Sequence, residues 1–166
     1  MTLNINDAKN VTQATSLAGL TGLSGAATTY STAALTLQYA IKGLAYAKAQ
    51  VSGGATPTTD IVTGAAFVPL LASQVCVFVF CFDAAGSVLR VAQGKVMSWT
   101  DTSARSVATP FPVLPDTLCP FAYAVIKNGA SGTSWTLGTS NWNQSQITID
   151  TPVNVQMLPA APPETA

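Results

Sequence analysis

The clearest pattern in the chain is the apolar run Val75 to Phe82, in which Cys76, Phe78, Phe80 and Phe82 alternate with Val75, Val77, Val79 and Cys81. Successive side chains on a strand point to opposite faces, so both faces here are apolar. That predicts a central strand covered on both sides, by a second sheet or by a neighbouring subunit. Asp83-Ala84-Ala85-Gly86 reads as a tight turn, after which Ser87 to Met97 returns as an antiparallel partner, with Gly94 marking a bulge. Trp99 to Asp116 reads as loop, because Pro110, Pro112 and Pro115 would remove donors from a ladder. A second alternating strand, Phe121 to Lys127, stops at the turn dipeptide Asn128-Gly129. A Gly/Ser/Thr-rich loop carrying Trp135, Gly138 and Trp142 leads to a short strand, Gln146 to Asp150, and a last one through Val153, Val155 and Met157.

Upstream the period changes. Tyr30, Ala34, Leu37, Ile41, Leu44, Lys48 and Val51 recur at alternating intervals of four and three, a heptad spacing that predicts a helix closed by Ser52-Gly53-Gly54. Such a stripe packs either on its own domain or against sister copies. Small alanines around the seam, and its place between a loose arm and the linker Ser52 to Thr59, favour self-association. Tyr30, Ala34, Leu37, Ile41, Leu44 and Val51 are therefore the candidate oligomer interface. Residues 1–28, with Gly19, Gly22 and Gly25, read as an extended arm lying flat on another surface or as a flexible leader, since each glycine would cost a helix about 1 kcal/mol. The expected plan is an arm (1–28), an oligomerisation helix (29–52), a β-domain (60–158) and a Pro/Ala tail (159–166). The fold class is mainly β, an antiparallel β-sandwich or barrel-like domain preceded by a single N-terminal helix and an extended arm.

Charge narrows the function classes. Seven Lys plus Arg balance seven Asp plus Glu among 166 residues, 8% charged where roughly 25% is usual. A neutral chain without a basic run lacks the field that phosphate backbones require, so no nucleic-acid partner is expected. No histidine is present, which removes the commonest general base and metal ligand. There is no SxxK, GxSxG or Walker motif. Asp60, Asp83, Asp116 and Asp150 sit at predicted turns or strand ends, where aspartate bonds its own backbone, and Asp7, Asp101 and Glu164 complete the acids. No enzyme, catalytic residue, metal or cofactor is expected.

Cys76 and Cys81 fall on opposite faces of one strand and, with Cys119, read as small buried hydrophobes. The uncharged window Gly64 to Phe82 has the length of a membrane span, but Pro69, Ser73-Gln74 and the Val/Phe/Cys run suit buried β-structure, so no membrane partner is expected. The opening Met1 to Asp7 does not read as a secretory signal. Trp99, Trp135 and Trp142 lie in loops or at strand ends, where they either close the ends of the core or stand exposed as anchors for a protein or sugar partner.

The segment Cys119-Pro120-Phe121-Ala122-Tyr123-Ala124-Val125-Ile126-Lys127-Asn128-Gly129, with Gly138-Thr139-Ser140-Asn141-Trp142 and Ile147-Thr148-Ile149-Asp150 after it, resembles a pattern found in small virion proteins of tailed bacteriophages, including capsid decoration (cement) proteins and head fibres. The resemblance lies within residues 119–150. It implies a homo-oligomer, expected as a trimer, made in the host cytoplasm and seated on the major capsid protein at the virion surface, where it locks capsomer junctions. A receptor- or glycan-binding head or tail fibre module is the alternative it leaves open. No functional residue transfers from it by position.

Overall fold

The computed structural model describes residues 11–26, 28–33, 36–99 and 109–160. Among them are twelve strands and no helix: β1 (Gln13–Ala14), β2 (Leu20–Thr21), β3 (Thr29–Thr32), β4 (Leu37–Ile41), β5 (Leu44–Lys48), β6 (Gly54–Ala55), β7 (Gln74–Phe82), β8 (Arg90–Gln93), β9 (Met97–Ser98), β10 (Cys119–Asn128), β11 (Ile147–Ile149) and β12 (Val153–Asn154). The protein is mainly β, with antiparallel sheets that stay open and close no barrel among these residues.

The two runs with the clearest alternation form the centre. β7 and β10 pair antiparallel from Phe82↔Cys119 to Gln74↔Asn128, and the register slips between Pro120 and Ala122. The proline, which has no N–H to give, thus sits beside a ladder irregularity. β8 and β9 flank β7, while β11 and β12 flank β10. The phenylalanine face carries Phe78, Phe80 and Phe82 with Phe121 and Ile126, and it is covered by Leu37, Tyr39 and Ile41 of β4 and by Trp135, Leu137 and Trp142. The valine face carries Val75, Val77, Val79 and Cys81 with Tyr123 and Val125, and it is covered by Leu118, Val155 and loop residues such as Phe111 and Leu114. Both faces of the central strand are therefore buried, as its pattern requires.

The helix expected at 29–52 is not there. The segment runs as β3, β4 and β5, with β4 and β5 joined at Ile41↔Leu44 by a two-residue turn. Lys42 and Gly43 both have positive φ, 50° and 77°, as a turn of the kind favoured in tight hairpins requires. Two-residue alternation is what counts: Leu37, Tyr39 and Ile41 are buried while Gln38 is exposed. The four-and-three spacing mixes positions of both strand faces, so it brings no seam together. Ala34 lies outside the described residues.

The described part of the arm is extended and lies flat, on this chain itself. β1 pairs with β4, β2 with β3, and Ala14, Ala18, Leu20 and Leu23 enter the main core. Gly19 explains part of the glycine spacing: its φ is +61°, and a Cβ there would lie 2.5 Å from the Cβ of Ala33. The window Gly64 to Phe82 is turn and loop before β7, and among the described residues no helix is long and apolar enough to cross a membrane.

The Asp83 turn forms as expected. Asp83 accepts hydrogen bonds from the Ala85 and Gly86 amides and pairs with Arg90 at 2.9 Å. On the return, the ladder breaks at Gly94 between β8 and β9, where a Cβ would lie 2.6 Å from Val77 and 2.8 Å from the Pro110 carbonyl.

Candidate functional site

One end of the central sheet brings together polar and aromatic side chains distant in sequence. The register places Met97 of β9 opposite Val75, Val75 opposite Lys127, and Lys127 opposite Thr148 of β11. These four residues form one row across the valine face. Trp99 and Asp150 each stand two residues along from an end of that row, so the pleat turns them to the same face. The hairpin linking β10 to β11 is closed by the Gly129 amide donating to the Gln146 carbonyl at 2.9 Å, and the Trp99 amide donates to the Ser73 carbonyl at 2.7 Å. Buried Asn128 pins the loop after β10 by donating through Nδ2 to the carbonyls of Leu70 and Thr133. It thus ends the strand as a clamp, one residue before the turn begins.

Lys127 Nζ lies 3.4 Å from Asp150 Oδ2, with the two side chains 11% and 22% exposed. The contact joins charges without a hydrogen bond, since Oδ2 is buried and accepts none. The ammonium also lies 5.8 Å from the centre of the Trp99 ring, an attractive cation–π arrangement. Trp99 itself is half-buried. Trp99, Lys127, Gln146, Thr148 and Asp150 line a cleft of about 650 Å³. Gln146 has a φ of +70°, a left-handed conformation unusual for a residue with a side chain.

The other tryptophans are inside. Trp135 is fully buried and donates to the Asn141 carbonyl at 3.0 Å; Trp142 donates to the Thr29 carbonyl at 2.8 Å. Their rings lie 5.5 Å apart, and they close the phenylalanine face as lids. Their candidacy as partner anchors is corrected by burial, and Trp99 alone of the three stays accessible. The candidate oligomer interface is corrected likewise. Tyr30, Leu37 and Ile41 point into the chain's own core, Val51 is half-buried against it, and Leu44 is exposed at 64%.

A second depression of about 600 Å³, mostly aliphatic, runs between the 13–17 segment and β12. Leu17, Val153 and Met157 border it, exposed at 57%, 38% and 60%. The thiols offer no reactive centre. All three are buried, and burial pushes Cys76 and Cys119 up to about 12 and Cys81 well above the ordinary range. Among the described residues no cluster of three His, Cys, Asp or Glu could hold a metal. Asp60 organises its own turn, accepting from the Val62 amide and the Thr63 hydroxyl, and Asp116 pairs with Lys42 at the surface. Asp7, Asp101 and Glu164 lie outside the described residues.

Lys127, Thr148 and Asp150 were not legible as a site. The signal was a lysine ending an otherwise apolar strand, but its partners come from register. No family model, curated protein or solved structure matches the chain.

Proposed function

We propose that the chain is a structural virion protein, a capsid decoration protein that binds the outer shell as a homo-oligomer and stabilises capsomer junctions. The observation that supports it most directly is the aliphatic depression bordered by Leu17, Val153 and Met157 on a chain with 8% charged residues. Grouped exposed aliphatics gain about 25 cal/mol per Å² when a partner covers them, and few charges oppose the approach. The occupant assigned to this depression is a subunit of the shell. The resemblance of residues 119–150 to tailed-phage virion proteins adds to the reading, and those residues hold β10, the Trp142 loop and β11. Within it the β-domain is sandwich-like, with the β1–β4–β5 sheet laid over the phenylalanine face.

Self-association is assigned to β5, which ends its sheet. Its one charge, Lys48, is turned back to the Ser87 carbonyl and over the Phe82 ring. The outer edge therefore presents Leu44, Ala45 and Ala47, with no charge set against a second copy adding a strand.

The test uses shells assembled from the major capsid protein of the same genome. The full chain should sediment with them and raise their melting temperature, and Leu17→Glu with Met157→Glu should abolish both effects. A chain that stays in the supernatant would overturn the proposal.

A further inference from the structure

We infer that the cleft walled by Trp99 and floored by the Lys127–Asp150 pair is a binding site for a neutral saccharide. This goes beyond attachment to a shell and does not depend on it.

The ion pair is the first ground. Drawing two charges most of the way out of water is costly, and apolar residues of similar size serve a sheet face at least as well. The rest of this face follows that rule, with Val75, Val77, Val79 and Val125. A lysine and an aspartate kept at its open end are thus poorly explained by stability. Asp150 Oδ2 is shut against Lys127, while the aspartate side chain as a whole keeps 22% of its surface exposed.

Ligand class follows from charge and shape. Lys127 and Asp150 sum to zero, so an anion entering the cleft meets the carboxylate and a cation meets the ammonium. A neutral hydroxyl, which both donates and accepts, suits each partner, and hydrogen bonds to charged groups are stronger than neutral ones. The Thr148 hydroxyl and the Gln146 amide extend the polar side. Trp99 supplies a broad apolar wall, fixed by its backbone bond to Ser73 and by the lysine at its ring, suited to the C–H face of a pyranose. A volume of about 650 Å³ lies within the range of small-ligand clefts. The left-handed Gln146 at the rim is local strain of the sort that gathers at binding sites.

The experiment is a glycan array probed with the isolated full chain, followed by fluorescence titration with the glycans that bind. Trp135 and Trp142 are sealed in the core, so a saccharide-dependent change in emission reports Trp99. Neutral glycans should bind, Asp150→Asn should weaken them by about tenfold, and Trp99→Phe should remove the emission change. Thr148 is exposed, so Thr148→Arg fills the cleft without touching the core and should abolish binding in a folded protein. Three outcomes would overturn the inference: no glycan above background, binding confined to sialylated or sulfated glycans, or equal binding by Thr148→Arg. None of these bears on sedimentation with shells.

Discussion

The hydroxyl of Tyr39 donates to the backbone carbonyl of Asp83 at 2.9 Å, tying the middle of β4 to the turn at the end of β7. The carboxylate of the same aspartate holds the Ala85 and Gly86 amides and Arg90, so one residue organises the turn and anchors the overlying sheet. Tyr39 is 1% exposed and lies against Tyr46 and Phe82, with ring centroids 5.6 and 6.2 Å away. Tyr39→Phe keeps this packing and should cost about 1 kcal/mol in urea unfolding, the net worth of one hydrogen bond. Tyr39→Ala should cost about 3–5 kcal/mol, as large aromatic truncations do. Similar losses for both would place the stabilisation in the hydroxyl alone.

Leu37 and Leu44 belonged to one seam in the heptad pattern, yet they are 2% and 64% exposed. Leu37→Glu should leave no cooperative unfolding transition, because it buries an unpaired charge in the main apolar core. Leu44→Glu should change stability by less than about 0.5 kcal/mol, as surface changes do, while lowering the mass measured by light scattering. A folded Leu37→Glu protein would contradict the described core, and an unchanged mass for Leu44→Glu would remove β5 as the contact between copies.

The thiols set an alkaline limit on stability. Cys76 and Cys119 ionise near 12 in the folded chain because burial penalises the thiolate, against 9.0 when unfolded. The unfolded chain therefore releases these protons first. Stability is fully present below pH 9 and falls between pH 9 and 12, by up to about 1.4 kcal/mol per pH unit for each thiol. Urea midpoints should decline across this window, and a Cys76→Ala/Cys119→Ala protein should show a shallower decline. Iodoacetamide at pH 8 should label the native protein only as fast as it opens.

Removing one member of the Lys127–Asp150 pair leaves the other charge poorly compensated. Each of Lys127→Met and Asp150→Leu alone should destabilise, by less than the roughly 3–5 kcal/mol seen for fully buried pairs because Asp150 keeps some solvent. The double variant should recover most of that loss, measured as the coupling in a double-mutant cycle. Additive losses would mean that the two charges do not act on one another.

The central strands were legible because burial on both faces needs no partner to be identified. Two-residue alternation across Val75 to Phe82 and Phe121 to Lys127 admits one kind of strand, and Asp83 to Gly86 admits one kind of turn. The segment 30–51 forms strands against its heptad spacing for a physical reason. Its alanines are small enough for either period, and the local evidence against a helix, Gly43 beside Lys42 at a positive φ, became decisive only when β4 found β1 on one side and the phenylalanine face on the other.

What the amino-acid order determined by itself was a β-rich interior with buried thiols and scarce charge, since those properties follow from composition and nearest-neighbour alternation. Which tryptophans are sealed, which leucine meets solvent, and that Trp99, Lys127, Thr148 and Asp150 share one cleft were decided by the tertiary structure. The reason is register: strands distant along the chain pair one residue at a time, and a slip of a single position would turn the lysine to the opposite face.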